Sequence, residues 1–546
     1  MTSQHSPTTL PNEHLPLNNK SPELTVDDIT IVDSDMLKRA VGAAALGNAM
    51  EWFDFGVYSY LALVIGKVFF PNASTAAQLI ASFGTFAAAF LIRPIGGIVF
   101  GRMGDRIGRQ KVLAITMIMM AIGTCCIGLI PSYASIGILA PVLLLLARLL
   151  QGFSTGGEYS GAATFIAEYS TDKRRGFMGS FLEFGTIGGY LLGASLVTIL
   201  TSALSAQAMM DWGWRIPFFI AAPMGLIGFY FRLKLEETPA FQQHMAQQEA
   251  REHSKPRLSL LQMLKKYRVS ILKCVGLVLL FNVSNYMLTS YMPSYLSGIL
   301  GLGQLSSLLL VMVIMFVMMP LTLFWGYTTD RIGRRPVIAL GAAGLILLAI
   351  PAFMLLASGN LLAVFGGLVI LGVLHSCFSG TMPATLPALF VTDVRYSALA
   401  IGFNLSVSLF GGTTPLITAW LVDTTGNIMM PAYYMMGAGV IGIITVLTLR
   451  ETAKKPLRGS PPTVASTKEA HHLVKNCGCA ARRFVRQKPT PPDTAEAKHR
   501  AADLSAAFLL AARQIVMTRC GVTATMPAAL EDEMPVNPRL KRALIA

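Results

Sequence analysis

Long apolar segments alternate with short polar ones through most of the chain, from residue 41 to residue 449. Each holds about 20 residues, the length that an α-helix needs to cross a hydrocarbon layer of roughly 30 Å. A polar segment at residues 234–270 divides the series. Twelve spans are predicted, at residues 41–65, 78–100, 112–131, 137–163, 177–200, 214–233, 271–297, 305–327, 337–357, 361–385, 397–421 and 431–449. The pattern is typical of an all-α polytopic membrane protein.

The composition agrees with this class. Of the 546 residues, 53% are hydrophobic and 13% are charged, whereas a soluble protein carries about a quarter charged residues. The net charge of +15 comes mainly from cations in loops and tails, where they serve membrane orientation rather than nucleic-acid binding. Cys477 and Cys479 form only a C-x-C pair, which is too little for a metal site. We therefore predict no cofactor, no metal and no nucleic-acid partner.

The distribution of lysine and arginine predicts the orientation. The loops at residues 102–111, 173–175, 251–273 and 331–335 are basic, and those at 131–137, 201–212, 298–304, 358–361 and 422–430 contain no lysine or arginine. Basic loops stay on the cytoplasmic side, so both termini are predicted to be cytoplasmic. The same cations are expected to contact anionic lipids there.

Five regions follow from these patterns. They are a disordered cytoplasmic N-terminal tail (1–35), a first six-helix bundle (36–233), a central cytoplasmic loop (234–270), a second six-helix bundle (271–452) and a largely disordered cytoplasmic tail (453–546). The last region has no heptad pattern that would form a coiled coil.

The two bundles carry matching loops. Residues 105–109 repeat residues 330–334 one for one as Asp-Arg-Ile-Gly-Arg, and the polar residues 171–174 are answered by residues 392–395. Matched landmarks in the same order indicate two related halves. The cleft between the halves is the expected substrate path.

These motifs resemble those of the major facilitator superfamily. The resemblance rests on the paired G-x-x-x-D-R-x-G-R loops and on R-x-x-Q-G-x-x-x-G-G-E at residues 148–158. The segment at 47–55 is similar to that of the metabolite:proton symporters, and residues 36–452 most resemble the bacterial symporters that take up proline and glycine betaine as osmoprotectants. The resemblance implies a major facilitator fold, a multi-pass protein of the bacterial inner membrane, and proton-coupled uptake of a small zwitterion by alternating access.

The sequence also allows other functions. The chain has no G-x-x-x-x-G-K-[ST] or H-E-x-x-H motif, which disfavours an ATP-driven pump or a zinc-dependent intramembrane protease. The alternatives are a proton symporter of a dicarboxylate, citrate or aromatic acid, a facilitator without proton coupling, and a sensor built on a transporter body.

Two acids in the first span are candidates for proton coupling. Glu51 and Asp54 are three residues apart and share a helix face. A carboxylate in the membrane needs a partner or a watery cavity, and one that exchanges protons provides what symport requires. Asp54, nearer mid-span, is favoured. The alternative is a structural acid paired with Arg93 or Arg148.

A cation and several aromatic residues are candidates for substrate binding. Arg148 can hold a substrate carboxylate bidentately, or it can serve as a counter-ion to Asp54. Aromatic faces attract quaternary ammonium groups. The predicted cage residues are Trp52, Tyr58, Tyr286 and Trp325, although most aromatics of such spans serve packing. Arg93 is expected either to snorkel to the interface or to function.

The remaining charges are predicted to gate the cytoplasmic side. In the superfamily that the chain resembles, the first charged loop latches the cytoplasmic ends of the two halves. The predicted gating network consists of Asp105, Arg106, Arg109, Glu158, Glu183, Asp330, Arg331 and Arg334. Membrane orientation alone would explain the cations but not the acid at a fixed offset.

Overall fold

The computed structural model describes residue 26 and residues 29–107, 109–234 and 260–476, with backbone only at 101–102, 104–107, 109–111, 113–114, 228–234, 260, 393 and 476. Most of the two predicted tails and of the central loop lies outside this part. The side chains of Asp105, Arg106 and Arg109 also lie outside it, and their gating roles stay predictions.

The first half contains six spans. They are span 1 (Ser34–Tyr60 continued by Ala62–Phe69), span 2 (Thr75–Leu91 and Arg93–Ile107), span 3 (Arg109–Leu129), span 4 (Leu139–Ser154 and Glu158–Tyr169), span 5 (Arg175–Ala203) and span 6 (Ile216–Lys234). Short helices lie in its loops at Tyr133–Ile136, Ala206–Asp211 and Gly213–Arg215.

The second half repeats this arrangement. It contains span 7 (Leu260–Tyr286, Met287–Tyr291, Met292–Ser294 and Tyr295–Ile299), span 8 (Gln304–Ile332), span 9 (Arg334–Leu356), span 10 (Leu361–Ser379 and Met382–Thr385), span 11 (Arg395–Ser406, Val407–Gly411 and Thr414–Thr425) and span 12 (Met430–Leu447). Short turns of helix follow span 10 at Pro387–Leu389 and Thr392–Val394. The segments Met287–Tyr291, Tyr295–Ile299 and Val407–Gly411 are π-helical, a geometry that often occurs at functional sites.

Length and apolarity identify most of these helices as membrane spans. Among the described residues, nine helices meet both criteria, and a tenth span is formed if the two helices of span 1, bent by 59° at Leu61, cross together. The shorter apolar helices Ile115–Leu129 and Gly213–Ile227 coincide with predicted spans three and six. The predicted all-α membrane fold is confirmed.

The halves meet through equivalent helices. Span 5 packs along span 1 of its own half and along span 8 of the other, and span 2 packs against span 11. Spans 5 and 11 hold the same position in their halves, as do spans 2 and 8. The two cross-half contacts are therefore related by the repeat, as expected for a fold built from two similar bundles.

Glycines allow spans 2 and 4 to approach closely. A Cβ atom on Gly152 would collide with the Ala89 carbonyl, and one on Gly156 would collide with the backbone of Gly97. A larger residue at either position would push the helices apart. The break of span 4 at residues 155–157 follows this contact and places Glu158 at the start of a new helix.

Two short strands join the ends of the transmembrane part. Thr30–Ile31 before span 1 pairs in parallel with Thr463–Val464 after span 12, in register Thr30 with Thr463. A helix at Thr467–Asn476 follows. Residues Val26–His471 form one compact unit, which holds every span and both strands.

Candidate functional site

Glu51 forms a buried ion pair with Arg93. Its Oε1 lies 2.6 Å from Arg93 Nη2, and both side chains are 1% exposed. The same Nη2 donates to the Thr155 carbonyl at 3.2 Å, in the break of span 4. The expectation that Arg93 snorkels to the interface is therefore wrong, because a carboxylate on span 1 neutralises the arginine inside the bundle. Of the alternatives for Glu51, the structure favours the paired acid.

Asp54 has a different environment from Glu51. Its Oδ2 accepts a hydrogen bond from the Thr124 hydroxyl at 2.9 Å. Thr124 in turn accepts from Gln151 Nε2 at 2.8 Å, and Gln151 Oε1 accepts from Arg148 Nη1. Two neutral side chains thus connect the carboxylate to the guanidinium. Asp54 forms no ion pair with any described residue, so its hydrogen-bonded connection to Arg148 runs through this chain.

A small cavity joins three of the predicted acids. It measures about 20 Å³, and its lining includes Glu51, Asp54 and Glu158. That volume is close to what one water molecule occupies. The Thr116 hydroxyl lies 3.4 Å from Glu158 Oε1 at the far end. The structure therefore places Glu158, predicted as a gating residue, on the same cavity as the two candidate coupling acids.

Arg148 is buried among aromatic rings. Its Cζ lies 4.1 Å from the centre of the Tyr58 ring, 5.3 Å from that of Phe55 and 5.2 Å from that of Phe86. The side chain is fully buried. Tyr58 keeps its ring in place through its hydroxyl, which bonds to the Ser82 carbonyl and to Thr85. Tyr58 is thus near the predicted carboxylate-binding arginine.

A second aromatic group crosses from one half to the other. The Trp52 ring lies 5.5 Å from that of Tyr190 on span 5 and 5.8 Å from that of Tyr286 on span 7. Phe90 on span 2 lies 5.3 Å from Tyr286. Trp52 donates its Nε1 proton to Asn48. The structure therefore brings together the predicted residues Trp52 and Tyr286 at the interface of the halves.

Several buried polar atoms near these rings have no hydrogen-bond partner. They are Arg148 Nε and Nη2, Arg93 Nε and Nη1, the Tyr286 and Tyr291 hydroxyls and Asn282 Nδ2. A buried donor without a partner costs free energy. A polar ligand held between the halves would satisfy such groups, so these atoms mark the candidate binding site.

Two predicted site residues lie elsewhere. Trp325 packs against Phe324, five residues before Asp330 and near the end of span 8, so it does not join the cage. Glu183 accepts a hydrogen bond from the Tyr159 hydroxyl at 2.5 Å, and the Tyr159 ring stacks on Phe403 of the second half at 4.1 Å. A tyrosine hydroxyl thus satisfies this buried carboxylate, and its gating role stays a prediction.

The second charged loop does connect the halves. Asp330 accepts from the backbone N–H groups of Gly176 and Phe177, both at 2.8 Å, and so caps the first turn of span 5 across the interface. Arg334 is buried and donates to the Ala384 carbonyl and the Thr452 hydroxyl. Arg331 is exposed beside Tyr327, where it contributes nothing to this contact.

Sequence reasoning missed the neutral members of the site. Gln151 lies three residues after Arg148, and Thr124 lies in the third predicted span. Neither carries a charge, so the cost of burial in a membrane did not mark them. Gln151 could have been found from its helical spacing from Arg148, and Thr124 could have been found as an isolated polar residue in an apolar span. Among the described residues, no group of acidic, histidine and cysteine side chains is arranged to hold a metal ion.

Comparisons with known proteins agree with this architecture. The profile of the Major Facilitator Superfamily matches residues 44–412 and 323–534. A proline/betaine transporter of Escherichia coli strain K12 is 51% identical over 455 residues, which cover 83% of this chain and 91% of the relative. A glycine betaine/proline/ectoine/pipecolic acid transporter, OusA, of Dickeya dadantii is 50% identical over 456 residues with the same coverage.

A solved structure shares the fold. The proton:xylose symporter XylE, bound to a bromodeoxyglucose, is 20% identical and superposes with a TM-score of 0.63 over 78% of this chain and 98% of its own. Both the sequence match and the shared fold lead to one assignment. The chain belongs to the major facilitator superfamily.

Proposed function

We propose that the protein is a secondary active transporter that takes up small zwitterions, such as proline and glycine betaine, together with protons. The paired bundles, the contacts between their equivalent spans and the names of the relatives support this function. Rocking of the two halves around a central site would expose the substrate to each side of the membrane in turn.

The charge distribution at the site is the main support for a zwitterionic substrate. Arg93 is neutralised by Glu51 at 2.6 Å, which leaves Arg148 as the one buried guanidinium of this region without a carboxylate in direct contact among the described residues. One cation suits one substrate carboxylate. The rings of Trp52 and Tyr286 suit a quaternary or secondary ammonium group. A dicarboxylate would require a second free cation.

Asp54 is the proposed proton carrier. When its carboxylate is charged, the chain through Thr124 and Gln151 holds Arg148 towards it. Protonation of Asp54 weakens that chain and releases Arg148 for the substrate carboxylate. Proton and substrate then bind together, as symport requires. Glu51, held by Arg93, is the structural acid of the pair.

The shared cavity is the proposed exit for the proton. Asp54 and Glu158 line the same space of about 20 Å³, which suits a single water molecule. Glu158 begins the helix that leads to the predicted cytoplasmic end of span 4. A proton released by Asp54 can thus reach a second carboxylate by way of one water.

Transport assays in proteoliposomes test the proposal. Labelled glycine betaine and proline should accumulate under an imposed proton gradient, and an excess of either should compete with the other. Citrate or 2-oxoglutarate accumulation would instead indicate an organic-acid symporter. Equilibration without accumulation would indicate a facilitator, and binding without flux would indicate a sensor; each of these outcomes contradicts the proposal.

We also propose that the protein lies in a bacterial inner membrane with anionic lipids at the predicted cytoplasmic face. Lys265, Lys266 and Arg268 at the start of span 7 are exposed there, as is Arg331. Cations near a membrane surface attract anionic headgroups. Uptake in vesicles of phosphatidylglycerol should exceed uptake in vesicles of phosphatidylcholine at equal protein content, and equal rates would remove this part of the proposal.

A further inference from the structure

The chain does not leave the transmembrane bundle after span 12. Residues 452–469, which we name the strap, run along the predicted cytoplasmic ends of both halves. Thr463, Val464 and Leu457 of the strap are buried. Leu457 packs with Ala167 of span 4 and Ala388 of the segment after span 10. The strap therefore covers residues of both halves.

One set of strap contacts lies within the second half. The Arg458 carbonyl accepts from the backbone N–H of Thr392 at 3.1 Å and from Arg395 Nη2 at 2.9 Å. The hydroxyls of Thr392 and Ser460 are 2.9 Å apart. Because span 12 also belongs to this half, these bonds hold the strap to its own bundle.

A second set joins the strap to the first half. Thr463 N donates to Asp172 Oδ2 at 3.1 Å, and its hydroxyl donates to Asp172 Oδ1 at 2.9 Å and the Ser170 carbonyl at 3.0 Å. Lys173 Nζ lies 2.5 Å from Glu469 Oε1. Arg175, the first residue of span 5, donates to the Lys455 carbonyl at 3.0 Å.

The strands add to this second set. Val464 and Thr463 pair with Ile31 and Thr30, which precede span 1 and so belong to the first half. The Lys173–Glu469 pair is partly exposed and contributes little by itself. The buried bonds of Thr463 with Asp172 and Ser170 are the main connection.

We propose that the strap is a built-in latch: it stabilises the closed state of the predicted cytoplasmic side and releases its first-half contacts whenever that side opens. The inference rests on alternating access from the proposed function. The ends of the halves meet here through Asp330 and the start of span 5, and separating them requires the bonds from Thr463 to Asp172 to break. The bonds from Ser460 to Thr392 remain intact, because both partners move with the second half.

Two cross-linked cysteine pairs test whether the strap must release its contacts with the first half during transport. In a background without the seven native cysteines, the double variant Asp172→Cys/Thr463→Cys is bridged with a short bis-methanethiosulfonate. Glycine betaine uptake should fall by at least about tenfold and return on reduction. The matched pair Thr392→Cys/Ser460→Cys, bridged in the same way, should transport at the unbridged rate. Equal activity of both bridged pairs overturns the proposal.

A variant with fewer strap bonds tests the latch in a labelling assay that does not depend on transport. Thr463→Val keeps the backbone bonds but removes the hydroxyl that bonds to the first half. Ser180 on span 5 faces Gly326 on span 8, so a Ser180→Cys reporter becomes accessible only when the halves separate. An impermeant maleimide is added on the predicted cytoplasmic side. In the Thr463→Val variant, labelling of the Ser180→Cys reporter should rise about fivefold, the factor expected for the loss of one hydrogen bond.

The control for this measurement is Ser460→Ala, which removes a strap bond within the second half and should leave labelling unchanged. If Thr463→Val does not reach the membrane, Glu469→Gln combined with Asp172→Asn provides the weakened strap. Unchanged labelling in the weakened variant contradicts the proposal. Because labelling needs no substrate and no proton gradient, this result is independent of whether the proposed transport activity is found.

Discussion

Asp54 lies one helical turn from Glu51, yet the two carboxylates have different partners. Glu51 Oε1 is 2.6 Å from Arg93 Nη2, whereas Asp54 Oδ2 accepts from the neutral Thr124 hydroxyl at 2.9 Å. An acid held in an ion pair stays charged through a transport cycle, while an acid held by a hydroxyl can exchange its proton. This difference in partners supports the proposed division of roles, with Glu51 as the structural acid and Asp54 as the coupling acid.

The Glu51–Arg93 ion pair should affect stability as a unit, so that losing one partner costs more than losing both. Removing one partner of a buried ion pair costs about 3–5 kcal/mol, because the other charge stays buried without compensation. Glu51→Gln or Arg93→Met alone should lower the Tm of the detergent-solubilised protein by several degrees, and the double variant should recover most of the loss. Asp35→Asn, which breaks the exposed pair with Lys38, is the control and should leave the Tm unchanged. Additive losses in the double variant would contradict the pairing.

Arg148 should control substrate affinity. Lysine keeps the charge but lacks the planar fork that binds a carboxylate bidentately. Arg148→Lys should raise the KM for glycine betaine about tenfold or more, as expected for one charged hydrogen bond. Arg215→Lys is the control, since Arg215 bonds to the carbonyls of Gly128 and Ile130 outside the site. A KM at the parent value in Arg148→Lys would remove the arginine from the binding site.

Asp330 should favour the state in which the predicted cytoplasmic side is closed. Its carboxylate caps the start of span 5 from the other half, and loss of a cap costs about 1 kcal/mol. Asp330→Ala should raise labelling of the Ser180→Cys reporter about fivefold, while Asp423→Ala at the exposed end of span 11 should not change it. The same labelling in both variants would mean that the cap does not hold the halves together.

Glu451 should make stability depend on acidic pH. Burial raises the pKa of this carboxyl, but backbone N–H groups of residues 334, 335, 452 and 453 outweigh it and hold the pKa below the ordinary 4.5. A lowered pKa in the folded state gives stability that is present above 4.5 and is lost as pH falls through the folded value. The Tm of the parent should therefore decline more between neutral pH and pH below 4.5 than that of Glu451→Gln. Parallel declines would contradict this role.

The fold was largely predictable, because each feature that indicates it is visible in one local stretch of the sequence. Apolar length marks a span without knowledge of its neighbours, and the loops at 105–109 and 330–334 mark the repeat directly. The membership in the superfamily and the transporter names of the relatives confirm the predicted class of protein. The cost of burying charge also identified Asp54 and Arg148, which the structure links through two hydrogen-bonded side chains.

The choice of partners was not predictable in the same way. Glu51 had two candidate arginines, and only the packing of span 2 on spans 1 and 4 selects Arg93. Asp330 and Gly176 are 154 residues apart, and their contact depends on how the halves meet. Thr124 and Gln151 are uncharged, so hydropathy did not distinguish them from packing residues. The strap looked like the start of a disordered tail because its partners, such as Asp172 and Thr392, lie in loops far from it in the sequence.

The most direct measurement compares uphill accumulation with exchange in one variant. Asp54→Asn keeps the size of the side chain and its bond to Thr124 but cannot carry a proton. In proteoliposomes with an imposed proton gradient, labelled glycine betaine should accumulate in the parent and only equilibrate in Asp54→Asn, while counterflow exchange without a gradient continues in both. Accumulation by Asp54→Asn at the parent level would contradict the assignment of this carboxylate as the proton carrier.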